Sequence, residues 1–194
     1  MNCTYGTNGI PVRAPNVVNF IDTAQLKSDL AKAKQAGVDF TIVTIHWGNE
    51  YERKENSNQR HIANFLLNNG ADMIIGSHPH VVQPIARRYN SSDSSSYKII
   101  VYSLGNYVSN QRDRYKDGGI MFNVKLRKIG KTEIVDASYT PVWVFKGIIN
   151  KKLQYKIVPV ADEIPEWLDT DSKSKAEQFK NDTKELLNNV PVFP

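Results

Sequence analysis

The sequence predicts an α/β fold: a parallel β-α-β core, then antiparallel strands, then a C-terminal helix. Two short apolar runs, Phe40 to Ile45 and Asp72 to Ile75, are rich in β-branched residues and bounded by polar residues or glycine, as buried strands are. A helical pattern lies between them, the order that yields a parallel pair with a right-handed crossover. From Gly119 onward the character changes to alternating stretches separated by short turns, which read as antiparallel strands.

Residues 1–21 contain Gly6, Gly9, Pro11 and Pro15 without clean periodicity and read as extended or loop segments. A first helix follows: Asp22 and Gln25 fit a capping box, Leu26, Leu30 and Ala33 share a face, and Gly37 stands at the expected C-terminal cap. The first buried strand ends at His46, and His46-Trp47-Gly48-Asn49-Glu50-Tyr51 opens a polar loop. A second helix spans Asn58 to Asn69, with Asn56 and Gln59 as capping box, Ile62, Phe65 and Leu66 as buried stripe, and Gly70 at its end. The second strand, Asp72 to Ile75, leads into Gly76-Ser77-His78-Pro79-His80.

Asn90 to Ser96 reads as a serine-rich surface loop, and Lys98 to Tyr102 as a third strand ending in Ser103-Leu104-Gly105-Asn106. Gly119 to Arg127, Thr132 to Val144 and Leu153 to Val160 form the antiparallel part, with the first hairpin turn at Lys128 to Lys131. After Pro165, an amphipathic helix runs from Ser172 to Asn189, burying Ala176, Phe179, Leu186 and Leu187. No repeat and no linker interrupts residues 1–194, which read as one domain.

Hydrophobic residues make up 40% and charged residues 23%, the balance of a globular protein with a core. No apolar run is long enough to span a bilayer, and no charged-then-apolar leader stands at the start; a removed leader or anchor upstream is compatible with both. The single cysteine, Cys3, excludes an internal disulfide and a thiolate metal cluster. Sequons at Asn2, Asn90 and Asn181 are patterns that arise by chance. The net charge is +5, but apart from Arg87-Arg88 and Lys151-Lys152 the basic residues are scattered. That pattern argues against nucleic acid and for a solvated surface with a mild preference for anions.

Three of the four histidines follow strand ends. Ligands of open α/β sheets collect outside the carboxyl ends of strands, and neutral imidazole is the commonest metal-ligating side chain. His78 and His80, two apart in extended backbone, can face one pocket, with Pro79 stiffening the segment. The alternative for such a pair is a solvated surface; His46 at the end of a second strand tips the reading to metal. His61 lies within the second helix and reads as an ordinary helix histidine. Glu50 is either a general base or further ligand, or a solvated carboxylate paired with Arg53. Asn106 either orients substrate or forms the turn after its strand.

Three blocks carry a resemblance: His46 to Tyr51, Gly70-Ala71-Asp72-Met73-Ile74-Ile75-Gly76-Ser77-His78-Pro79-His80-Val81-Val82-Gln83, and Tyr102-Ser103-Leu104-Gly105-Asn106-Tyr107. In this order, and with Tyr5-Gly6-Thr7-Asn8-Gly9 ahead of them, they resemble the signature blocks of the bacterial poly-γ-glutamate capsule-synthesis proteins, which are similar to calcineurin-like metallophosphoesterases. The resemblance implies a metallophosphoesterase-like α/β sandwich and a two-metal site. By position His46 resembles the isolated histidine ligand, and His78 and His80 the paired histidines, with Ser77 an insertion relative to the superfamily pattern. The early aspartate and Asn-His motifs have no counterpart before residue 40, where Asp22, Asp29 and Asp39 lie in or around a helix.

The resemblance therefore implies the C-terminal portion of the family domain, whose partner would be the missing N-terminal half. Its divalent metals (Mn, Zn or Fe) would be held in the whole protein and weakly or not at all here. The implied role is capsule or exopolymer synthesis at the extracytoplasmic face of the cell envelope, on an anionic polymer or phosphoester. Two other readings stand beside it: a non-catalytic accessory subunit of a membrane-associated assembly, and a mononuclear zinc hydrolase built from His46, His78, His80 and Glu50. A half domain would leave the strands ending at His46 and His78 with unpaired edges, so homo-oligomerisation is expected.

Overall fold

A computed structural model describes residues 1–90 and 93–190. The chain runs β1 (Asn2–Thr4), α1 (Thr23–Gln35), β2 (Ile42–His46), α2 (Ser57–Asn68), β3 (Met73–Ser77), β4 (Ile85–Asn90) and β5 (Asp93–Val101). It continues with β6 (Gly118–Ile129), β7 (Lys131–Ile149), β8 (Lys152–Pro159) and α3 (Thr170–Leu186). The fold is α/β as expected, with a five-stranded sheet ordered β1-β2-β3-β5-β4 and an antiparallel sheet ordered β6-β7-β8.

β1, β2, β3 and β5 are parallel, and β4 turns back antiparallel on β5. Alternation along β3 and β5 divides the interior into two cores. Ile74 and Ile100 face α1 and α2, joining Val43, Ile45, Leu26, Leu30, Ile62 and Leu66. Met73, Ile99 and Val101 face the other way, onto Tyr139, Trp143 and Phe145 of β7 and Ala176 and Phe179 of α3. Both faces of β3 and β5 are thus covered, which is why these strands read as continuous apolar runs. One strand over, Ile42 and Thr44 of β2 are exposed on the second face. Beside them an apolar groove of about 410 Å³ opens between Met73, Ile75, Ile120 and Phe122.

The helix caps follow the sequence. Asp22 accepts from the amides of Ala24 and Gln25, but the Gln25 side chain bonds Asp29 instead of closing a capping box. At α2 the box is complete between Asn56 and Gln59. Gly37 and Gly70 follow the C-caps of α1 and α2 with φ of +72° and +114°, conformations that favour glycine.

Several expectations are corrected. Residues 1–21, read as extended or loop, are both, and their extended part is a paired strand: β1 pairs Asn2, Cys3 and Thr4 with Thr44, Ile45 and His46. β2 therefore lies between β1 and β3, and β3 between β2 and β5, so neither strand has the bare edge expected of it. The outer side of β1 is itself partly used, with Thr4 bridged to Phe20. The serine-rich loop expected from Asn90 to Ser96 is strand at both ends, with Asn90 paired to Asp93; residues 91 and 92 lie outside the described residues. Among the described residues no helix is long and apolar enough to cross a membrane.

Candidate functional site

The site forms where the first, second and third parallel strands and the turn after β5 end together. Thr4 is in register with His46, and His46 with Ser77, so the last residues of β1, β2 and β3 lie side by side. His46 continues the face of Ile42 and Thr44, away from the helix-side core that takes Val43, Ile45 and Trp47. After Ser77 the backbone leaves the sheet through His78 and His80, both in the left-handed region with φ of +104° and +59°. Side-chain-bearing residues rarely adopt these values, and such strain collects at functional sites.

Backbone hydrogen bonds clamp the three sequence blocks to one another. The Trp47 amide donates to Ser77 O at 3.0 Å and the Tyr51 amide to Pro79 O at 2.7 Å. Leu104 donates to Gly76 O at 3.1 Å and Gln83 to Ser103 O at 3.2 Å. Buried Gln59 and Gln83 brace the loop after β2: Gln59 Nε2 donates to Gln83 Oε1 at 2.8 Å, and Gln83 Nε2 to Glu52 O at 2.7 Å. Asn106 is fixed to β6 by its amide, which donates to Gly118 O at 3.0 Å.

This frame brings His46, His78 and His80 together. The rings of His46 and His78 are 4.5 Å apart between centroids, and those of His78 and His80 6.2 Å. Tyr5 covers the first two, 5.5 Å from His46 and 4.5 Å from His78. Tyr51, itself at a φ of +68°, stacks on His80 at 6.0 Å. Desolvation lowers the pKa of both His46 and His78, followed by the charge of His80 at His46 and of His46 at His78; Glu50 opposes this more weakly. Both rings are thereby biased to the neutral form that ligates metal.

Of the other predicted residues, Glu50 is exposed, with Oε1 4.0 Å from His80 Nε2. Arg53, its alternative partner, donates to Asp182 O and lies over the Tyr115 ring. Asn106 is buried and contacts His80 Nδ1 through Oδ1 at 2.9 Å, while its Nδ2 donates to Gln111 Oε1 and Lys116 O. His61 is exposed on α2, apart from the cluster. Sequence reasoning gave no role to Thr4, whose hydroxyl is 3.1 Å from His46 Nδ1, or to Gln111, which bridges Asn106 and Tyr51. Both act across the fold, and no local pattern marks them.

Three imidazoles converge, but among the described residues no group of three or more His, Cys, Asp or Glu side chains is arranged to hold an ion.

The chain is 35% identical over 119 residues to the PGA biosynthesis protein CapA of Bacillus subtilis (strain 168), an alignment spanning 59% of this chain and 30% of that protein. It is 38% identical over 100 residues to the capsule biosynthesis protein CapA of Bacillus anthracis, spanning 50% of this chain and 23% of that one. The chain thus aligns with less than a third of each relative's length. Residues 2–111, which hold β1 to β5, the histidine cluster and Asn106, match the family described as bacterial capsule synthesis protein PGA_cap, and the chain belongs to that family.

Proposed function

We propose that this chain works in the synthesis of a poly-γ-glutamate capsule or related exopolymer and supplies the histidine half of a metallophosphoesterase-like two-metal site. The observation that carries this reading is the convergence of His46, His78 and His80 beyond the ends of adjacent parallel strands, with two of the rings biased to neutrality. The family match over the same residues, and the names of the two relatives, supply the capsule context.

His46 and His78 are close enough to share one ion, and His80 with Glu50 borders a second position. Carboxylates completing the set would come from outside these residues, from the rest of a longer protein or a partner. A divalent ion (Mn, Zn or Fe) bound there would supply Lewis-acid neutralisation for an anionic polymer or phosphoester. The chain's own residues hold the imidazoles in place, keep them neutral, and cover them with Tyr5 and Tyr51. The work would take place at the extracytoplasmic face of the cell envelope.

Calorimetry with zinc and manganese tests this. Weak uptake, lost in His46→Ala and His78→Ala, supports the half-site. A single nanomolar zinc site would favour the mononuclear hydrolase. No uptake by this chain, together with none by a longer protein that carries the completing carboxylates, would favour the non-catalytic accessory role.

A further inference from the structure

We infer that Thr4 and Asn106 are positioning residues that lock His46 and His80 in one and the same tautomer, with the proton on Nδ1 and the lone pair on Nε2. The inference rests on reading the cluster as a ligand site for its purpose, but its geometry stands without a ligand.

For His80 the anchor is a backbone carbonyl. Asn106 Nδ2 lies 2.7 Å from Lys116 O, which can only accept, and 2.9 Å from Gln111 Oε1. The atom facing Lys116 O must therefore be the amide nitrogen, and both of its protons are committed. The carboxamide oxygen is left facing His80 Nδ1 at 2.9 Å. An oxygen without a proton can only accept, so Nδ1 must donate. Gln111 closes the arrangement, since its Nε2 donates to the Tyr51 hydroxyl at 3.3 Å and thereby leaves Oε1 to accept from Asn106.

For His46 the same result comes from a different group on a different strand. The Thr4 hydroxyl has one proton and two lone pairs. Its oxygen lies 2.9 Å from Gly6 O, which can only accept, so the proton goes there. The Gly6 amide donates to it at 3.3 Å, and His46 Nδ1 is its remaining neighbour at 3.1 Å. With its proton spent, Thr4 accepts from Nδ1–H. The hydroxyl's donor and acceptors are then all used.

Both imidazoles thus keep Nε2 as the free acceptor. At His80 that lone pair faces the Glu50 carboxylate 4.0 Å away, an arrangement of two acceptors that a cation between them would relieve. Fixing a ring by hydrogen-bonding its other nitrogen is how ligating histidines are oriented. Here the acceptors that orient the rings are a hydroxyl and a carboxamide rather than carboxylates.

Long-range proton–nitrogen NMR on histidine-labelled protein reads the tautomer directly, at about pH 8.5, well above the ordinary imidazole pKa of about 6.5. His46 and His80 should each show a protonated Nδ1 and an unprotonated Nε2, while exposed His61 should show the averaged pattern of a free side chain. Thr4→Val should shift His46 alone toward that average and Thr4→Ser should restore it; Asn106→Leu should shift His80 alone. Finding the proton on Nε2 of either ring in the unmodified protein overturns the inference, and so does a tautomer unmoved by a folded Thr4→Val or Asn106→Leu. A chain that shows this tautomer supports the inference whether or not it takes up metal, so the inference and the metal reading fail separately.

Discussion

The indole Nε1–H of Trp47 donates to the carbonyl oxygen of Tyr102 at 2.9 Å, across the space that a side chain at position 76 would occupy. A Cβ on Gly76 would collide with both Trp47 Nε1 and Tyr102 O, neither of which is the free end of a flexible chain. Gly76→Ala should therefore cost about 1–3 kcal/mol, the range for overpacking a tight interior. Denaturant titration checks this. A variant within about 0.5 kcal/mol of the parent would show that β3 can move away from the turn after β5.

Gln83→Leu should be costly for a different reason. The substitution keeps the volume but leaves the buried Gln59 amide without its acceptor and Glu52 O without its donor. The buried Gln59 amide at about 1–3 kcal/mol, with a smaller share from the carbonyl of exposed Glu52, gives an expected loss of about 1–4 kcal/mol. The loop carrying Glu50 should loosen at the same time, read as faster hydrogen exchange at residues 48–56. Unchanged exchange there would mean that the backbone bonds to Ser77 and Pro79 hold the loop unaided.

The second core contains a carboxylate whose ionisation works against folding. Asp117 is buried beneath β7, and desolvation raises its pKa despite the hydrogen bond from Trp143 Nε1 at 2.6 Å. A folded-state pKa above the unfolded one means that the folded chain binds the proton more tightly. The stabilisation is then complete below the ordinary aspartate value of about 3.9 and is lost as pH rises through the higher folded value. Asp117→Asn, which still accepts from Trp143, should gain on the parent as pH rises through that window and hold a constant advantage above it. Equal pH profiles for the two proteins would contradict this.

The parts of the fold visible in the sequence are those set by local pattern. The strands ending near His46 and His78, the helices with their caps at Asp22 and Asn56, and the antiparallel part beyond Gly119 all announce themselves by periodicity or turn residues. β1 does not, because its three residues become a strand only by pairing with β2 about forty residues later. β4 carries Arg87 and Arg88 and an apolar stripe too short to register, and the serine-rich stretch hid the start of β5. The same division runs through the site. Histidines beyond strand ends can be read from the chain, and so can Asn106, but not the partner that makes Asn106 useful. Thr4 and Gln111 matter only because the fold sets one against a ring 42 residues away and the other between two side chains of separate loops.

The backbone at His78 offers a test that separates strain from chemistry. Its φ of +104° lies where glycine is at ease and any side chain is not. In ordinary extended backbone, alanine is more stable than glycine, because glycine gives up more freedom on folding. Here the order should invert. His78→Ala and His78→Gly lose the same contacts with His46 and Tyr5, so the difference between them reports the backbone alone. Strained residues of this kind cost about 1–3 kcal/mol, and His78→Gly should exceed His78→Ala in unfolding free energy by an amount in that range. The measurement is a pair of denaturation curves at the same pH. Alanine equal to or better than glycine would mean that the turn relaxes once the imidazole is gone, and that the ring, through its packing against His46 and Tyr5, is what holds the backbone in its strained conformation.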